Sequence, residues 1–133
     1  MIGIPPPNRD RFLAAIAERV APDRVQALYV FAPIRQGAVE TGVAVIAAEP
    51  VDPLPDNQRP VVLTARYRHT LKGADRGKWE FEIHEQADAP LVTVEKVMRG
   101  VQERLDESVE PERLDADVLR TALAEGVWTA PPR

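Results

Sequence analysis

Cysteine is absent from these 133 residues, which removes disulfides, thiolate metal sites and thiol nucleophiles together. Serine occurs once, as Ser108 in the acidic stretch LDESVEPE, a setting that disfavours the alkoxide of a hydrolase triad. Histidine occurs twice. His69 and His84 lie fifteen residues apart with no H-E-x-x-H helix, so neither a metal nor another cofactor is expected. Aromatic residues make up only 5%, so the core must be aliphatic and rich in alanine. The longest apolar runs, Ala27 to Ile34 and Gly42 to Ala48, fall far short of the roughly 18 residues of a membrane helix, and no membrane partner is expected. Glycine-rich phosphate loops are missing as well: Gly73-Ala-Asp-Arg-Gly77-Lys78 has three residues between its glycines and Trp79 where a magnesium-binding hydroxyl belongs, and reads as a turn. The opening MIGIPPPNRD has neither a basic nor an apolar leader segment, so the expected location is cytoplasmic.

What is present is the composition of one folded domain: 44% hydrophobic and 29% charged residues, with a net charge of -4. The expected division is a proline-rich arm over 1–7, a single domain over 8–128 and a short tail over 129–133. Within the domain the pattern predicts an α+β fold in the order α-β-β-β-β-α-α, a four-stranded antiparallel sheet packed with one N-terminal and two C-terminal helices. Asn8 suits an N-cap for a helix with Phe12, Leu13, Ile16 and Val20 on one face. Residues 24–36 and 42–48 read as strands that are apolar on both faces, a property of the middle of a three-layer fold or of a subunit interface. Two helical stripes follow the strands: Val94, Val97, Met98, Val101 and Leu105 in the first, with Gly100 inside it, and Leu114, Val118, Leu119, Ala122 and Leu123 in the second, for which Pro111 suits a first turn. Val127 and Trp128 are expected to fold back onto that last helix.

Residues 61–87 read as a hairpin with alternating faces. Val61, Leu63, Ala65, Tyr67, His69 and Leu71 take one face, with Trp79, Phe81 and Ile83 on the returning strand. A five-residue loop GADRG sets Leu71 opposite Trp79, His69 opposite Phe81 and Tyr67 opposite Ile83. A shift of two would instead set Arg68 opposite Glu80 and Arg66 opposite Glu82, keeping the charge match.

Three functional readings arise. The first is a non-catalytic interaction or assembly module, a homodimer formed through apolar sheet surface at Leu28, Val30 and Ile46. The second is a carrier of a small ligand or peptide, with a pocket between sheet and helices that draws on Tyr67, His69, Trp79, Arg66 and Arg68. The third, an acid-base enzyme, would pair His69 with Glu85. The basic stretch Arg59 to Lys78, net +5, resembles a nucleic-acid surface only until Glu80 and Glu82 are set beside it, so no nucleic acid is expected. Arg35, Gln36, Glu40 and Thr41 read as a polar loop at one end of the buried strands, able to line a pocket.

Overall fold

A computed structural model describes residues 6–49, 61–86, 93–105 and 109–124. The chain is α+β, with three α-helices and one antiparallel sheet among the described residues. Helix α1 spans Pro6–Arg19, and the strands β1 (Val25–Phe31), β2 (Ile34–Gln36), β3 (Val39–Ala48), β4 (Val61–Thr70) and β5 (Trp79–Glu85) follow it. Then come α2 (Val94–Leu105), β6 (Pro111–Leu114) and α3 (Asp117–Ala124). The sheet runs β5-β4-β3-β1-β6, with β2 paired to β3, so it has six strands where four were expected. Both additions are short. Pro33 breaks the long first strand, and Gly37, at φ 60°, lets β2 turn back directly onto β3. At Pro111 the chain starts an edge strand rather than a helix, a place where the missing N–H is no loss, and Leu114 comes to lie opposite Leu28.

The double-sided strands are the middle layer of the fold. Leu28, Val30, Ala44, Ile46 and Ala48 face α1 and α3, and share a core with Phe12, Ile16 and Leu119. Phe31, Val43, Val45 and Val62 face the other way, against Val101 of α2. Each fully buried aliphatic or aromatic side chain contributes about 1.5–3 kcal/mol. Ala14, Ala17 and Ala122 belong to the first core, where small side chains let α1 and α3 lie close. Arg120 of α3 donates to Asp23 at 2.6 Å, tying that helix to the turn before β1.

The α1 start differs from expectation. Pro6 and Pro7 belong to the first turn of the helix, where proline is tolerated, so Asn8 lies inside it and does not cap it. The β4–β5 hairpin takes the register shifted by two: His69 opposes Trp79, Tyr67 opposes Phe81, Arg68 opposes Glu80 and Arg66 opposes Glu82. Leu71 is the reason. Its amide donates to the Ala38 carbonyl at the β2–β3 turn, so it leaves the ladder, and a loop closed by Gly73 and Gly77, at φ 91° and 93°, follows. The residue ranges 1–5, 50–60, 87–92, 106–108 and 125–133, including Val127, Trp128 and the tail, lie outside the described residues. No helix among the described residues is long and apolar enough to cross a membrane.

Gly100 in α2 has nothing within 4 Å of a built Cβ, and its φ is not positive, so its position reflects no close backbone approach. Gly100→Ala should therefore raise stability by about 0.5–1 kcal/mol, seen as a higher urea midpoint with an unchanged slope. A lower midpoint would show that the glycine is required.

Candidate functional site

Two places combine polar groups with geometry that selects. The first lies where α1 crosses the β2–β3–β4 corner. Along β3, Glu40, Gly42, Ala44, Ile46 and Ala48 share the face turned toward α1, which carries a glutamate into the core at 0% exposure. A bare carboxylate there would be expensive, and three donors meet it. Arg35 donates through Nε to Oε1 at 2.8 Å, Asn8 through Nδ2 to Oε2 at 2.9 Å, and the Tyr67 hydroxyl to Oε2 at 2.5 Å. Asn8 Nδ2 also lies 3.1 Å from His69 Nδ1. An amide nitrogen only donates, and turning the amide over would set its oxygen against the Glu40 carboxylate, so Nδ1 is the acceptor here.

Burial pushes the Glu40 carboxyl up, but the hydrogen bonds from Tyr67, Arg35 and Asn8, with the charge of Arg35, outweigh it and hold the group below the usual carboxylate range. For Tyr67, burial first and then the hydrogen bond to Glu40 push the phenol far above its ordinary value. The pair is therefore a carboxylate held by a phenol that keeps its proton. Both oxygens of Glu40 are occupied, so the arrangement joins α1, β2, β3 and β4 at one point.

Tyr67 reaches Glu40 by lying flat across the neighbouring strand. A Cβ built on Gly42 would stand 2.0 Å from Tyr67 Cε2, so the ring occupies the space that any side chain at 42 would need. Phe12 meets the Tyr67 ring edge-on at 4.9 Å between centroids, and Trp79 stacks on it at 5.9 Å. Arg11 lies over Trp79 at 5.2 Å and Arg19 over Phe81 at 5.6 Å, so the helix covers the hairpin aromatics with guanidinium groups.

The second place is on the opposite face. Helix α2 buries only Val101 fully; Val94, Val97, Met98 and Leu105 are half-buried. A groove of about 610 Å³ runs beneath it, between Ala27, Tyr29 and Ala47 of the sheet and Val94 and Met98 of the helix, with Gln26, Glu95, Arg99 and Gln102 at its margin.

Sequence-based site residues are divided by the sheet. Tyr67, His69 and Trp79 lie on the α1 face, where they pack as rings and hydrogen-bond partners, whereas the exposed Arg66 and Arg68 lie on the other face opposite glutamates of β5. They form no common pocket. Leu28, Val30 and Ile46 are 0%, 3% and 0% exposed beneath α1 and α3, inside the chain's own core. His69 and Glu85 are not brought together: one faces Trp79 and the other is paired with Leu63, six residues along β4 or roughly 20 Å away. Comparison with protein-family models, curated proteins and solved structures returns no match. Among the described residues no cluster of three or more His, Cys, Asp or Glu side chains is placed to hold a metal.

Asn8 and Gly42 were not among the expected site residues, and Glu40 was expected only in a polar loop able to line a pocket. The signal was the period of two: extended backwards from Ala48, the buried face passes through Gly42 and arrives at Glu40.

Proposed function

We propose that the chain is a non-catalytic binding module that takes a large apolar side chain of an extended partner segment into the groove between α2 and the β1–β3 face. The observation that carries this reading is the groove itself. Its volume of about 610 Å³ lies within the range of ligand sites, roughly 300–1,000 Å³, and its apolar walls are ringed by neutral amides and one charge of each sign. Tyr29 supplies an aromatic wall and Met98 an adaptable one, the kind of side chain that repacks around different occupants. The Glu40 cluster supports the same reading from the other side, since a carboxylate with both oxygens engaged is suited to holding elements in place and poorly suited to accepting a substrate proton. An assembly through Leu28, Val30 and Ile46 would require α1 and α3 to leave the sheet.

Selection of displayed peptides against the full chain tests the proposal. Bound sequences should share one large apolar residue, should shift the amide resonances of Ala27, Tyr29 and Ala47, and should lose at least about tenfold in affinity on Met98→Glu, the cost of setting a charge against a buried methyl or ring. Peptides whose binding ignores Met98→Glu would overturn it.

A further inference from the structure

The two edges of the sheet differ. At one end, β6 is four residues long and begins with Pro111, which has no N–H to offer. At the other, β5 runs for seven residues without proline, glycine or a break in register. Its bonds to β4 use alternate residues: the Thr70 amide donates to the Lys78 carbonyl and the Gln86 amide to the Val62 carbonyl, so the even-numbered residues turn their backbone groups inward. The N–H and C=O groups of Trp79, Phe81, Ile83 and Glu85 therefore point away from β4, and no strand among the described residues pairs with those of Phe81, Ile83 and Glu85.

From this edge we infer that β5 pairs antiparallel with β5 of a second copy, about a two-fold axis through Glu82 normal to the sheet, giving a homodimer with one continuous sheet. Among two-fold registers this one overlaps the whole strand and engages all four outward-facing residues. The facing side chains match on both faces except at the axis, where a single like-charged pair meets. On the α1 face, Phe81 meets the partner's Ile83, and Trp79 with its covering Arg11 meets the carboxylate of the partner's Glu85. On the opposite face Glu80 meets the partner's His84. The two copies of Glu82 meet at the axis, each with Arg66 across the ladder and its own His84 at 3.2 Å. Neighbouring registers are worse. Centring on Phe81 sets Glu80 against the partner's Glu82, and centring on Ile83 sets Phe81 against the partner's Glu85. The groove under α2 is on the β1 side of the sheet, so Met98→Glu should leave the dimer intact and the two readings fail separately.

Because the chain has no cysteine, a single introduced thiol reports one position. In the full chain, Glu82→Cys meets its own copy at a non-hydrogen-bonded pair, about 4.5 Å between Cα atoms and within disulfide reach. Mild oxidation should convert it to a linked dimer of two 14.8 kDa chains. Glu80→Cys under the same oxidation should remain single, since its copy is roughly 13 Å away along the strand, but should link when mixed with His84→Cys. Native mass spectrometry of the unsubstituted chain should show the dimer, and Ile83→Pro, which removes an outward N–H while sparing the bonds to β4, should raise the dissociation constant at least about tenfold. A monomer at every concentration reached, or equal linking through positions 80 and 82, would overturn the inference.

Discussion

Gly42→Ala should destabilise the chain by about 3–5 kcal/mol, although it adds a single methyl group to a strand. The backbone is not the obstacle, since Gly42 is absent from the positions of positive φ. The obstacle is the Tyr67 ring, with Cε2, Cδ2 and Cζ at 2.0, 2.7 and 2.8 Å from the new Cβ. Contact at that range forces the ring away. Tyr67 is fully buried, meets Phe12 edge-on, stacks with Trp79 and donates to a buried carboxylate, so displacing it loses packing and leaves Glu40 short of one donor. A double-mutant cycle separates this cause from a general defect of the strand. Tyr67→Ala alone should cost about 3–5 kcal/mol, and in that background Gly42→Ala should add less than about 0.5 kcal/mol. Additive losses in urea unfolding would mean that the ring and the glycine are not coupled, and the account of the corner would fail.

The same corner shows what the residues declared in advance and what they did not. Alternation is a local property, and it was legible: apolar on both faces for Leu28 to Phe31 and Val43 to Ala48, apolar on one face for Trp79 to Ile83. From it follow a sheet buried in the middle and wet along its β4–β5 half. Pairing is not local. Leu71 has the right parity to stay in the ladder and leaves it because the Ala38 carbonyl, at a turn more than thirty residues earlier, accepts its amide. The segment Pro111–Leu114 is half charged and has no strand pattern of its own; it is a strand only because β1 offers it an edge. Tyr67, His69 and Trp79 were recognised as polar aromatics on an apolar face, but the side chains around them were not. Their partners, Asn8, Glu40 and Phe12, come from other elements. Asn8 beside a proline run looks like a cap, and Glu40 before Gly42 looks like part of a loop, until the fold sets them 2.9 Å apart.

Glu40 makes the corner sensitive to acid in a direction that can be worked out. Its folded pKa lies below the ordinary glutamate value, about 4.3, so the folded state binds the proton less readily than the unfolded chain. The stability it contributes is fully present above that ordinary value and is lost as pH falls below it, through the folded pKa. Glu40→Gln removes the titration and keeps the shape. One amide oxygen can still accept from Tyr67 and Asn8, while the amide NH₂ faces Arg35, whose side chain is 55% exposed and can turn to water. At neutral pH the substitution should cost about 2 kcal/mol, the loss of a charge-assisted bond and the weakening of two others. The difference between the two proteins should then shrink as pH is lowered below about 4, because only the wild type has a proton to gain at this site. Glu40→Leu, which leaves the Tyr67 hydroxyl and Asn8 without their acceptor in a closed core, should cost more at neutral pH, about 3–5 kcal/mol. Comparing chains that share every other carboxylate cancels the rest of the acid transition, so urea midpoints of wild type and Glu40→Gln at neutral pH and at pH 3 decide the matter. A gap that stays constant across that range would mean that Glu40 binds its proton equally well in the folded and unfolded chains, and a wild type that gains stability as pH falls toward about 4 would mean that the folded chain holds a neutral acid; either result would overturn the lowered pKa.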